Sequence, residues 1–222
     1  MRRAGLLLAA VLAAAISSSA AAQTWRGTWG ASPALPMAAG PRLPAGFATP
    51  VINNQTVVQY VRLSAGGDRL RLRLSNEYGE KALQVGHVRV TLLDDKGATV
   101  GRGQDVTFSG QPGATIPAKS PLVSDPVRLA VPPLARLKIA LYFPGEAGPC
   151  SCHASGSQTA EISPPGDYTD KPFKPAATTQ ARTFLSGVEV ESRRAGPVIV
   201  AFGDSITDGY LSTTDANRRW PG

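Results

Sequence analysis

Asp68 to Ser75 reads "DRLRLRLS". Leu70, Leu72 and Leu74 alternate with Arg69, Arg71 and Arg73. A strict period of two places the leucines on one face and the guanidinium groups on the other, which predicts a half-buried strand with one wet face. Upstream, "VVQYVRLS" (Val57 to Ser64) reads as a second strand, and Ala65-Gly66-Gly67 reads as a hairpin-like turn joining the two. Downstream, "HVRVTLLD" (His87 to Asp94), "RLKIALYF" (Arg136 to Phe143) and "FLSGVEVES" (Phe184 to Ser192) give further strands, with "DDKG" as a turn after Leu93. Pro- and Gly-rich runs such as "FSGQPGATIPAKSP" and "ISPPGDYTDKPFKP" read as loops between them. No stretch before residue 192 has a helical period. Many short strands separated by turns predict an antiparallel β-sandwich, jelly-roll-like, over residues 23–194.

The termini depart from this pattern. Arg2 and Arg3 precede an apolar run from Ala4 to Ile16, too short to span a bilayer, followed by "SSSAAAQ" with small residues at Ala20, Ala21 and Ala22. Residues 1–22 are therefore expected to be a secretory signal peptide cut before Gln23. That implies an exported protein, periplasmic or secreted, with no stable membrane insertion after cleavage. The formal net charge is +7, but two of the positive charges leave with the signal and most others alternate along strands. Such a pattern is a solvated sheet face, and no nucleic-acid partner is expected.

Export also bears on "GPCSCHASG" (Gly148 to Gly156). In an oxidising compartment Cys150 and Cys152 are open to pairing across a one-residue spacer. A Cys-x-Cys-His metal site is the other reading, though two further ligands at sensible spacing are missing.

After the polar break "SRRAGP" (Ser192 to Pro197) the pattern changes again. Val198 to Phe202, "VIVAF", is continuously apolar, as in strands covered on both faces of a parallel sheet. It leads into Gly203-Asp204-Ser205. A serine just beyond a buried strand sits where open α/β sheets place ligands. If Ser205 opens a helix, its backbone N–H is free, and such donors favour a developing oxyanion. Gly203 is expected to allow the tight bend. Taken alone, Gly-Asp-Ser is more often simply a turn, with Asp204 as helix cap and Asp208 as a first-turn surface carboxylate. A phosphate-cradling loop is disfavoured, because the Gly-Lys-Ser/Thr ending is absent.

"VIVAFGDSITDGY" (Val198 to Tyr210), continued by "NRRWPG" (Asn217 to Gly222), resembles the first block of the SGNH hydrolases, the GDSL-type esterases and lipases. "WRGTWGASP" and "VRLSAGGDRLRLRLSNEYG" resemble the β-rich domain that precedes the hydrolase in one bacterial branch. The resemblance implies a serine esterase acting on small-molecule, acetylated carbohydrate or lipid esters, without metal or organic cofactor. It implies Ser205 as nucleophile and backbone oxyanion donor, with Gly203 and Asp204 as motif neighbours. It also implies that residues 195–222 are the first strand and loop of an incomplete flavodoxin-like α/β/α domain. The family's oxyanion Gly and Asn and its Asp-x-x-His pair have no counterpart here. His87 and His153 lie in the β region, outside any such setting.

The chain is thus expected to be an inactive first portion of the enzyme, with the segment after Gly196 lying on the sandwich or poorly packed. The alternative function is a sandwich module that binds carbohydrate or positions substrate, with Trp25, Trp29, Tyr60 and Tyr78 stacking on sugars or filling the core.

Overall fold

The computed structural model describes residues 24–37, 48–192 and 201–219. The expected signal segment, the boundary near Arg194 and Val198 to Val200 lie outside them. Two antiparallel sheets carry the fold, which is mainly β. The first contains β1 (Thr24–Gly30), β14 (Leu185–Ser192), β3 (Arg69–Ser75) and β8 (Pro121–Val123), in that order. The second has the order β12 (Ala177–Thr179), β11 (Ala160–Pro165), β2 (Ile52–Arg62), β9 (Arg136–Ala147), β5 (His87–Leu93) and β6 (Thr99–Val106). Two short ribbons complete it: β4 (Leu83–Val85) with β7 (Ala114–Ile116), and β10 (Cys152–His153) with β13 (Arg182–Thr183).

The alternation in β3 decides its packing. Leu70, Leu72 and Leu74 have no solvent exposure. They join Val188 and Val190 of β14, and Val57, Leu137, Ile139 and Leu141 of the second sheet, in one apolar cluster. Apolar area buried on both inner faces is the main force holding such a sandwich together. The arginines of β3 are solvent-facing but not free. Arg69 and Arg71 lie directly across from Glu191 and Glu189 of β14. Arg69 Nη2 donates to Glu191 Oε1 at 2.7 Å and Arg71 Nε to Glu189 Oε2 at 2.6 Å. Opposite charges on facing positions reinforce the register that the leucines set.

Three sequence expectations are corrected. Ala65-Gly66-Gly67 is not a hairpin turn: β2 and β3 belong to different sheets, and the chain crosses between them. The glycines are there for close approach. A Cβ on Gly66 would lie 2.5 Å from the Val131 carbonyl oxygen, and one on Gly67 2.4 Å from that of Glu191. Gly67 and Val131 also exchange backbone hydrogen bonds at 3.0 and 2.9 Å. Secondly, the Pro-rich runs are not wholly loops. "FSGQPGATIPAKSP" contains β7 and opens β8, and "ISPP" falls in β11, beside β2. Thirdly, the alternating run does not begin at Phe184. That residue takes a left-handed φ of 58° and separates β13 from β14. Its ring still enters the core, 5.0 Å from that of Phe143.

Candidate functional site

Cys150 and Cys152 form a disulfide, so neither sulfur is free as a metal ligand, and both residues are 1% exposed. Cys152 exchanges backbone hydrogen bonds with Ala34 at 2.8 and 3.1 Å and pairs with Thr183 of β13. The fully buried Gln59 of β2 clamps Thr183 from the other side: its amide donates to Thr183 O at 2.9 Å and accepts from Thr183 N–H at 3.2 Å. His153 and Arg182, the next cross-strand pair, are thereby fixed on one rigid ribbon at the edge of the core.

Residues 201–219 dock on this ribbon through polar contacts. Asp215 is the main anchor. Its carboxylate accepts from Gln158 Nε2 at 2.6 Å, from Thr159 N–H at 2.6 Å and from Thr159 Oγ1 at 2.7 Å. Its own N–H reaches Ser157 O at 3.1 Å, with Asp215 at φ 63°, a left-handed conformation that aspartate tolerates better than most residues. Arg219 Nη2 donates to Gly156 O at 2.7 Å.

Within the docked segment, Ser205 opens a single helical turn, α1 (Ser205–Asp208). Asp204 is its N-cap and accepts from Ile206 N–H at 2.9 Å. Gly209 closes the turn with φ 95°, a left-handed cap conformation natural to glycine. Gly203 works differently from expectation. It does not have a positive φ; a Cβ there would lie 2.1 Å from Thr207 Oγ1. Its role is to make room for Thr207 folding back over the turn. Asp208 is not a free surface carboxylate, since His153 Nε2 lies 3.0 Å from both of its oxygens.

Ser205 is exposed, and no described residue hydrogen-bonds its hydroxyl or its N–H. It lines a cavity of about 890 Å³ between the docked segment and the sandwich, together with Trp29, Tyr60, His153, Arg182 and Asp208. His153 borders the same space but is fully engaged. Nδ1 is 3.2 Å from Ser32 O, and Nε2 faces Asp208. Both ring nitrogens thus face groups other than Ser205.

The other residues singled out by sequence divide clearly. Trp29 packs against the core and Arg71 covers the ring of Trp25 at 4.4 Å. The Tyr60 hydroxyl donates to Glu161 Oε2 at 3.2 Å, and burial, followed by the charge of Glu161, pushes its pKa up to about 12. Tyr78 is partly exposed, away from the cavity. His87 sits outside the cavity between Asp105 and Asp167, 3.1 Å from each. Ala201 and Phe202, the end of the expected buried strand, are both exposed and belong to no strand.

Sequence reasoning passed over Arg182 and Asp215. Arg182 stands alone in "QARTFL" with no periodic or motif signal, whereas the Asp-Ala-Asn turn at Asp215 carries turn chemistry that marks it as structured. Among the described residues, no helix is long and apolar enough to cross a membrane. Neither comparison with known family models nor comparison with curated proteins returns a match.

Proposed function

We propose that this chain carries the nucleophile of an exported serine esterase of the GDSL type, with a jelly-roll-like sandwich buttressing the first turn of a flavodoxin-like hydrolase domain. One observation carries the reading. Ser205 heads a capped turn, its hydroxyl and N–H unclaimed by any described residue, on the wall of a cavity large enough for a small ester. In the reaction, Ser205 Oγ attacks the ester carbonyl carbon and its proton passes to a base. The tetrahedral oxyanion collapses to an acyl-serine and expels the alcohol, which takes up that proton. Water then attacks the acyl carbon, the bond to Ser205 Oγ breaks, the carboxylic acid leaves and the hydroxyl is restored. The Ser205 N–H supplies one oxyanion donor. A single four-residue turn has little dipole of its own, so this contribution is that of one local N–H.

No described histidine is placed as that base: the His153 ring faces Ser32 and Asp208, and His87 lies outside the cavity. The exposed side chains of Phe202, Ile206 and Leu211 fit the same reading, as the face that further strands and a helix of the hydrolase domain would cover. A purely carbohydrate-binding role draws less support, since Trp29 is packed against the core and Trp25 is covered by Arg71.

The test is p-nitrophenyl acetate hydrolysis. The 222-residue chain gives no Ser205-dependent turnover, whereas the same chain joined to a segment that supplies an Asp-x-x-His motif hydrolyses the ester. Saturable hydrolysis by the 222-residue chain that Ser205→Ala abolishes would show that the base lies within these residues.

A further inference from the structure

Arg182 is 2% exposed, yet Nε and Nη1 are buried without any hydrogen-bond partner among the described residues. Four other strand arginines do not share this state: Arg69, Arg71, Arg73 and Arg89 each pair with a carboxylate. A buried guanidinium with unpaired donors is costly and persists where something else supplies the acceptor. The nearby carboxylates do not. Asp208 is taken by His153, and Asp215 by Gln158 and Thr159. Arg219 adds a second positive charge and lowers the Arg182 pKa; burial is the larger cause, and Arg182 at about 10 remains a cation at neutral pH.

Space for an acceptor lies next to it. Arg182 borders both the cavity that holds Ser205 and a smaller one of about 140 Å³, shared with Trp29, Ser32, His153 and Arg219. The Trp29 ring lies 5.9 Å from the guanidinium carbon. A Cβ on Gly156 would lie 2.8 Å from Nε. The glycine thus leaves room for the guanidinium.

We propose that Arg182 anchors an oxyanion subsite in this cavity, taking a carboxylate or phosphate group, and that the ester cleaved at Ser205 is one bearing such an anionic group. The second half rests on the esterase reading; anion binding by Arg182 does not. A planar guanidinium suits a two-oxygen acceptor, and the pair Arg182 and Arg219 supplies the positive potential. Arg182 lines both cavities, so an anion seated there lies beside the guanidinium.

The experiment titrates the 222-residue chain with sodium acetate and, separately, inorganic phosphate, at ionic strength fixed with sodium chloride, following Trp fluorescence. Saturable binding of at least one anion is expected. Acetate saturating alone indicates carboxylate-bearing esters, and phosphate alone indicates phosphate-bearing esters such as lipid headgroups. Arg182→Met weakens binding about tenfold or more, as loss of a charge-assisted bidentate contact does, while Arg71→Met, outside the cavity, leaves it unchanged. Arg182→Met also keeps or raises Tm, because it removes an unpaired buried charge, whereas a purely structural arginine would lower it. If Arg182→Met does not fold, Arg182→Lys decides: binding weakened severalfold supports the subsite, and unchanged binding overturns it. No saturation beyond chloride in the unsubstituted protein, or equal affinity in Arg182→Met, also overturns it. Neither result bears on Ser205 chemistry, which the ester assay reads separately.

Discussion

The sandwich and the segment from Ala201 to Arg219 are held by opposite physics. In the sandwich, leucine and valine side chains from two sheets disappear into one core, and polar contacts decorate its edges. In the docked segment the apolar side chains point outward: Phe202 is 99% exposed and Leu211 84%, while carboxylates and an arginine make the attachment. Stability therefore resides in the first region and Ser205, the proposed nucleophile, in the second. A turn attached by a few hydrogen bonds opens locally at far smaller cost than the core unfolds.

Substitutions separate the two most sharply at their centres. Leu72→Ala, at a site with no solvent exposure, removes core packing from β3 and is expected to cost about 3 kcal/mol of global stability in urea unfolding. A value under about 1 kcal/mol would mean the two sheets do not share a tightly packed core. Asp215→Ala removes three acceptor contacts, equivalent to about 1–3 kcal/mol of local attachment. Amide exchange should accelerate across residues 201–219 while the exchange of β2, β3 and β9 stays as it was; acceleration in both regions would tie them into one cooperative unit.

Acid sensitivity is a smaller effect and belongs to the sandwich. Asp105 has its pKa lowered: burial opposes the shift, but Arg89 and His87 outweigh it. Asp167 is lowered likewise, with burial again opposing and Thr169 and His87 prevailing. A folded pKa below the unfolded value of about 3.9 means that the unfolded chain binds more protons as pH falls. These contributions are full above that value and are lost as pH drops through the folded ones. Asp105→Asn should accordingly flatten the decline of Tm between about pH 5 and 3; an unchanged decline would remove the cluster around His87 from the acid response. Smallest of all, Phe202→Ser is expected to shift global stability by no more than about 0.5 kcal/mol, since its ring is exposed. A larger loss would place that ring in the cooperative core.

The same division explains what could be read from sequence. The leucine-arginine alternation of β3 dictates burial and exposure directly, because a period of two leaves each side chain only one face. It could not identify the sheet partner: Gly66 and Gly67 look like turn residues, whereas their structural use, close approach to Val131 and Glu191, depends on strands far away in the chain. Ser205 and Asp204 were legible as a helix start and its cap because a capped turn is local chemistry, whereas the room Gly203 makes for Thr207 was not. Arg182 was not, since an unpaired buried guanidinium is defined by the absence of neighbours, which no linear pattern encodes. His153 stands between these cases. Its place beside the cysteines was visible, but its contact with Asp208, 55 positions away, arises only when the segments dock.

The central claim is that Ser205 is the attacking group, and covalent trapping tests it most directly. A polypeptide extending this chain through an Asp-x-x-His motif is treated with a fluorophosphonate and mapped by peptide mass spectrometry. One adduct on the peptide holding Ser205, absent in Ser205→Ala together with loss of ester hydrolysis, is the expected result. Undiminished hydrolysis in Ser205→Ala, or an adduct on a different residue, would contradict the claim.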